Sequence, residues 1–298
     1  MKRIGFVVVG AMIFLGGILS GGEASELKKV QVFVSILPQK AFVEHIGGDR
    51  VDVSVLVSPG ESPATYRPKP SRIAKLAASN IYFRVGVPFE NQLLPKVKGL
   101  SRELLVVDTR KGIALRQMRG HHEHGDHHHD GEDHEGADPH IWLDPMRVKR
   151  QAEIIRDALS AFDPQGRKTY EKGYLTFASE LDALHDELKQ ALEPVKGSVL
   201  YVYHPAFGYF AEAYGLVQKA VEVEGKRPKG KTLSKFIQQA KRDKARVIFV
   251  QPQFDRHAAE KIAHAIGGSV VALDPLSEDY LKNLKKMATN IIRVQSHY

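Results

Sequence analysis

The chain has 298 residues, of which 43% are hydrophobic and 26% charged, values of an ordinary globular protein with room for two domains. It contains no cysteine, which excludes a disulfide framework and thiolate metal sites, so any metal must be held by nitrogen and oxygen. The formal net charge is +8, and removing residues 1–24 takes away Lys2, Arg3 and Glu23 and leaves +7; the basic residues are scattered, with no aromatic-interleaved basic motif, which argues against a nucleic-acid partner.

The first segment is a positive n-region (Lys2, Arg3), an apolar run "IGFVVVGAMIFLGGIL" and the small residues of "GGEA". That order predicts a secretory signal peptide over 1–24, cleaved after Ala24, and hence a periplasmic chain. The run approaches membrane-span length, so an uncleaved anchor is the alternative. No cysteine follows it, which excludes a lipidated N-terminus.

Next, "KKVQVFVS" (28–35) and "VDVSVLVS" (51–58) alternate and are β-branched, as strands are. Between them "PQKAFVEHIGG" opens on proline and ends on glycine, as helices do. A helix is predicted over 69–79, with strands over 80–86 and 103–108. Strands alternating with short helices specify an α/β fold with mostly parallel sheets. A helix follows over 147–163. From Gly166 to Leu192 the pattern is helical, with Leu181, Leu184, Leu188 and Leu192 on one stripe and Gly173 as a weak point. This length reads as a rigid strut between two lobes. The second half returns to the same alternation, with strands over 198–203, 245–250 and 269–273, and helices over 205–215, 231–243, 256–268 and from about Glu278 to Val294. The domains are therefore expected at 25–146 (N-terminal lobe), 147–195 (helical connector) and 196–298 (C-terminal lobe).

Two histidine-bearing features carry chemistry. Residues 119–137 hold His121, His122, His124, His127, His128, His129 and His134 among acidic residues and glycines, with no large apolar side chain to offset the entropy of ordering. A disordered loop binding metal loosely and auxiliarily is expected; imidazole-rich sets favour zinc, copper or nickel over calcium or magnesium. His140, in contrast, stands in "ADPHIWLDP" between proline and the one tryptophan. His204 follows a strand and precedes Pro205; Asp274 follows a strand and precedes Pro275. In open α/β sheets ligands bind beyond the carboxyl ends of strands. His140, His204 and Asp274 are thus candidates for one metal site, although each taken singly reads as a cap, turn or surface residue. Glu222 and Glu224, on one face of an alternating segment, read as solvated charges rather than as a catalytic base. There is no HExxH, nucleophile elbow or phosphate loop to support an enzyme.

The motifs "PGESPATYRPKPS", "DPHIWLDP", "YHPAFGYFAEAYGL", "VIFVQPQF" and "LDPL", in that order, resemble the extracytoplasmic metal-binding proteins of zinc and manganese ABC importers, cluster A-I, and the zinc-uptake receptors in particular. The resemblance covers nearly all of the chain after residue 24. It implies two α/β lobes joined by one long helix, a metal between them, zinc as the cargo with manganese as the alternative, an ABC permease as partner, a monomer, and a non-enzymatic role. It implies ligand roles for His140, His204 and Asp274, and a histidine-rich loop just ahead of the second ligand in zinc-specific members. One position departs: the pattern Pro-His-x-Tyr-x-Pro reads Pro63-Ala64-Thr65-Tyr66-Arg67-Pro68 here. Ala64 cannot ligate, so the fourth place falls to water, Glu61 or a loop histidine. The other readings are a metal-binding adhesin or interaction protein on the same fold with a weakened site, and a zinc-dependent hydrolase.

Overall fold

The structure is a computed structural model that describes residues 29–118, 136–222 and 230–295. The segment 1–24, the loop histidines from His121 to His134, and Glu224 lie outside the described residues.

Four parallel strands build each of two sheets. In the first, β1 (Val30–Val34), β2 (Val51–Val55), β3 (Ile81–Arg84) and β4 (Leu105–Asp108) lie in the order β2-β1-β3-β4. In the second, β5 (Val199–Val202), β6 (Val217–Ala220), β7 (Val247–Val250) and β8 (Ser269–Ala272) lie in the order β6-β5-β7-β8. The two orders are the same, so the second lobe repeats the topology of the first. β7 is buried at every position, as a central strand covered on both faces must be.

The helices are α1 (Leu37–Gly47), α2 (Pro70–Ala77), α3 (Phe89–Leu100), α4 (Pro145–Phe162), α5 (Arg167–Leu192), α6 (Gly208–Ala213), α7 (Lys231–Arg242), α8 (Arg256–Ala265) and α9 (Tyr280–Gln295). The sequence pattern missed α3, whose interior Pro95 conceals it, and the short strand β6. Asp144 caps α4 by accepting from the Met146 amide at 2.9 Å, with Pro145 pre-set for the first turn. Among the described residues no helix is long and apolar enough to cross a membrane.

The linking helix is α5. At 1.5 Å per residue it spans roughly 39 Å. Its buried stripe, Tyr170, Phe177, Leu181, Leu184, Leu188 and Leu192, packs against α1, α4 and α9. Each buried leucine contributes about 1.5–3 kcal/mol of apolar burial. One hydrophobic core runs from β1 and β3 along this stripe to β5 and α9, so both lobes grip the same rod. Gly173 is not a weak point. A Cβ there would lie 2.5 Å from the Ile46 carbonyl oxygen and 2.6 Å from that of His45, so the glycine is what lets α5 touch the end of α1.

Sheet order sets where ligands can enter. The strand order reverses between β1 and β3 and between β5 and β7, and the crevice lies beyond the carboxyl ends there. In the N-terminal lobe this place is filled from within. The fully buried Glu90 accepts from Ser35 Oγ at 2.6 Å, the Val85 amide at 2.9 Å and the Gly86 amide at 2.8 Å. Burial raises the Glu90 carboxyl above its ordinary range against these donors and Arg84. In the C-terminal lobe the same place carries histidine and glutamine.

Candidate metal centre

His204 follows β5 and Gln251 follows β7, so the two straddle the point where the strand order reverses. The Gln251 Nε2 donates to the His204 carbonyl at 2.8 Å, which fixes the backbone of the histidine. The His204 ring stacks on Phe254 at a centroid distance of 4.8 Å. His140 arrives from the other lobe, in the loop before the short turn Ile141–Leu143. The two imidazoles meet edge to face, with centroids 5.3 Å apart. Each residue is only 7% exposed.

Each ring is oriented by a buried carboxylate. His140 Nδ1 lies 2.7 Å from Asp138 Oδ1, which also accepts from the His140 amide at 3.0 Å. His204 Nδ1 lies 2.5 Å from Glu222 Oε2. Both rings are therefore held with Nδ1 toward a carboxylate and Nε2 left for a ligand. A carboxylate behind the imidazole fixes its tautomer and raises its basicity, the usual arrangement behind metal-bound histidine. Burial lowers the pKa of His204 below the ordinary histidine value; the Glu222 hydrogen bond opposes this and the nearby His140 adds to it. The ring is thus neutral and ready to ligate at neutral pH.

Glu222 corrects the reading of it as a solvated charge: it is 8% exposed and bound to His204. The alternation around it was legible, but the sequence could not show that the end of β6 would lie beside the end of β5. Asp138 was missed in the same way, though its place two residues before His140 is the local signal for a turn of this kind.

His140, His204 and Ala64 line one cavity, together with Pro139, Trp142, Gln253 and Phe254. Ala64 is therefore on the wall that faces the imidazoles. Asp274 is not on that wall. It lines an adjoining pocket with Glu61, and Gln253 and Leu276 belong to both. Asp274 Oδ1 accepts from Gln253 Nε2 at 3.0 Å and from the Leu276 amide at 3.0 Å. Glu61 accepts from the Ser58 amide at 2.9 Å, closing its own turn. Accordingly, among the described residues no three His, Asp or Glu side chains stand close enough to share one ion. The structure brings the two histidines together and holds the carboxylate one side chain away, behind Gln253.

The lobes meet at the same place. Trp142 Nε1 donates to the Pro275 carbonyl at 2.7 Å. Tyr209 OH donates to the Asp138 carbonyl at 2.9 Å and accepts from the Arg116 amide at 2.8 Å. The Arg147 guanidinium lies over the Tyr209 ring, 4.6 Å from its centroid, and pairs with Glu212 at 3.1 Å. These contacts tie the C-terminal lobe to the N-terminal lobe and to the start of α4, close to the candidate ligands.

Known proteins share this sequence pattern and this fold. The model of the family described as ZnuA, zinc-uptake complex component A periplasmic, matches residues 32–294. Zinc-binding lipoprotein AdcA of Streptococcus pneumoniae is 27% identical over 273 residues, which are 89% of this chain and 54% of that relative's length, so this chain spans about half of it. The high-affinity zinc uptake system protein ZnuA of Bacillus subtilis is 26% identical over 261 residues, 86% of this chain and 81% of the relative. A crystal structure of ZnuA superposes with a TM-score of 0.82 at 38% identity, covering 90% of this chain and 100% of that one. With the family model matched over nearly the whole described chain, the protein belongs to the family of periplasmic zinc-uptake complex component A.

Proposed function

We propose that this chain is an extracytoplasmic receptor that captures a divalent first-row transition metal, zinc foremost and manganese as the alternative, and hands it to an ABC permease. The observation that carries the reading is the pair of buried imidazoles, each fixed through Nδ1 by a buried carboxylate and each offering Nε2 to one interlobe cavity. Relatives named for zinc binding and zinc uptake support zinc as the cargo.

In this reading His140 and His204 are the first ligands, and Asp274 joins them when metal enters. The histidines of 119–137 are auxiliary, holding metal loosely near the cleft. The mature chain begins near Ser25 and works in the periplasm as a monomer, without a nucleic-acid partner. Its units are the N-terminal lobe to residue 146, the connector 147–195 and the C-terminal lobe from 196. The role is not catalytic. Glu222, the carboxylate nearest to His204, is spent on Nδ1 and so stands behind the ring rather than over the metal, where a general base would be needed.

The test is metal analysis and competition titration of the purified mature chain, with and without residues 119–137. One tight zinc per chain that survives loop deletion and is lost in His140→Ala and His204→Ala is expected. Unchanged tight binding in the double variant would overturn the site, and loss of all tight binding on loop deletion would move it to the loop. N-terminal sequencing of periplasmic protein checks the processing; a chain found only in the cytosol with Met1 intact would contradict it.

A further inference from the structure

The residue between the histidine pair and Asp274 is Gln253, and its carboxamide is half used. Nε2 donates to Asp274 Oδ1 at 3.0 Å. An ionised carboxylate only accepts, so this bond fixes which end of the amide faces Asp274. The amide oxygen, Oε1, is then the free end. It is buried and has no hydrogen-bond partner. A buried acceptor without a partner marks the place of a water or an ion, because such groups are otherwise paired. Gln253 lines the cavity of His140, His204 and Ala64 as well as the pocket of Asp274. Ala64, on the same wall system, has only a methyl group to offer. The cavity is thus lined by two imidazoles, a position without a side-chain donor, and a glutamine whose amide oxygen is buried and unpaired.

We infer that Gln253 is a metal-facing residue of the interlobe site, its Oε1 supplying the donor that position 64 lacks while its Nε2 holds Asp274 beside the cleft. The inference rests on the metal-receptor reading above and deepens it. A neutral carboxamide oxygen is a harder donor than imidazole. A site with two imidazoles, a carboxylate and an amide oxygen favours zinc over manganese by a smaller margin than one with a third imidazole. Gln253 would therefore set selectivity as well as affinity. Its backbone is suited to this: it follows β7 at the reversal of strand order, between Pro252 and the Phe254 ring that stacks on His204.

The test uses the full mature chain with less than one equivalent of metal, so that the tightest class fills first. Zinc affinity is read by chelator competition and ligand geometry by the visible absorption of bound cobalt(II). Gln253→Ala should weaken zinc by about ten-fold or more, the scale seen when groups around a metal ligand are removed, and should change the cobalt bands. Gln253→Glu keeps an oxygen donor but loses the Nε2–H that holds Asp274, so it should retain more affinity than Gln253→Ala. Unchanged affinity and unchanged bands in Gln253→Ala would overturn the inference. Tighter zinc binding in that variant would also overturn it, because the amide would then be only a competitor for Asp274. Loss in both variants with unaltered cobalt bands would give Gln253 a positioning role instead and equally overturn it. His140→Ala is the control. If it too leaves cobalt bands and affinity unchanged, the metal-receptor reading fails; if it alone changes them, only the role of Gln253 does.

Discussion

The indole of Trp142 donates to the Pro275 carbonyl at 2.7 Å while its ring lies 5.1 Å from that of His140. One side chain therefore touches a candidate ligand in its own lobe and the loop of Asp274 in the other. It is also the one tryptophan of the chain. Its fluorescence should report occupancy of the interlobe site and nothing else. Titration with zinc should change the emission with a single saturation point at one equivalent in the loop-deleted chain. In His140→Ala the change should vanish. A fluorescence response unaffected by that substitution would place the metal elsewhere.

The carboxylates behind the imidazoles should matter nearly as much as the imidazoles. Glu222→Gln and Asp138→Asn keep shape and remove charge. Each should weaken zinc by roughly 10–100-fold, the range for partners that orient metal-bound histidine. The folded state should survive, since circular dichroism reports the sheets and helices, not these bonds. Equal affinity in both variants would mean that ring orientation is set by packing alone.

Ala64→His should tighten zinc binding. Position 64 lines the cavity of the two imidazoles, and the prolines at 63, 68 and 70 stiffen the loop that carries it. The comparison is a competition titration of both chains without residues 119–137. If Oε1 of Gln253 already fills this place, the gain should be small for zinc but the discrimination against manganese should rise. No change in either quantity would show that position 64 points away from the metal.

Gly173→Ala should destabilise the protein although alanine is the better helix former. Propensity favours alanine by about 1 kcal/mol. Against it, the new methyl would meet two backbone carbonyls of α1 at 2.5 and 2.6 Å, and backbone cannot rotate aside. Overpacking of this kind costs about 1–3 kcal/mol, so the net change is a loss of up to about 2 kcal/mol. Urea unfolding of the metal-free chain measures it; an increase in midpoint would contradict the close approach of α1 and α5.

Metal-free stability should fall as pH drops below the ordinary histidine range. His204 has a lowered pKa in the folded state, so below about pH 6.5 the unfolded chain takes up a proton there that the folded chain refuses. The contribution is present above the unfolded pKa and is lost as pH falls toward the folded one. One site changes stability by at most about 1.4 kcal/mol per pH unit. The unfolding midpoint at pH 7.5 and 5.5 should therefore differ more in the wild type than in His204→Gln. An equal difference would show that His204 does not contribute.

Periodicity, turn residues and the resemblance made much of this protein legible before its structure. Alternating β-branched runs and proline-to-glycine helices are local signals, and they gave two parallel α/β lobes and the long helix of Leu181, Leu184, Leu188 and Leu192. That His140 and His204 stand at a loop or strand end beside proline was legible, and the structure brings their rings together. Besides α3, β6 and Asp138, three things were not legible. Glu222 looked solvated, because its burial depends on the end of β6 lying against that of β5. Gly173 looked like a flaw, because the reason for it, the carbonyls of His45 and Ile46, is more than a hundred residues away in sequence. And Asp274 stands behind Gln253 rather than beside the histidines, because the side-chain amide that separates them is placed by the reversal of strand order between β5 and β7. Sequence by itself determined most of the elements and which residues carry donor atoms, since those follow from residue type and local spacing. Only the tertiary structure decided which donors face one cavity, since that follows from how distant strand ends are packed side by side.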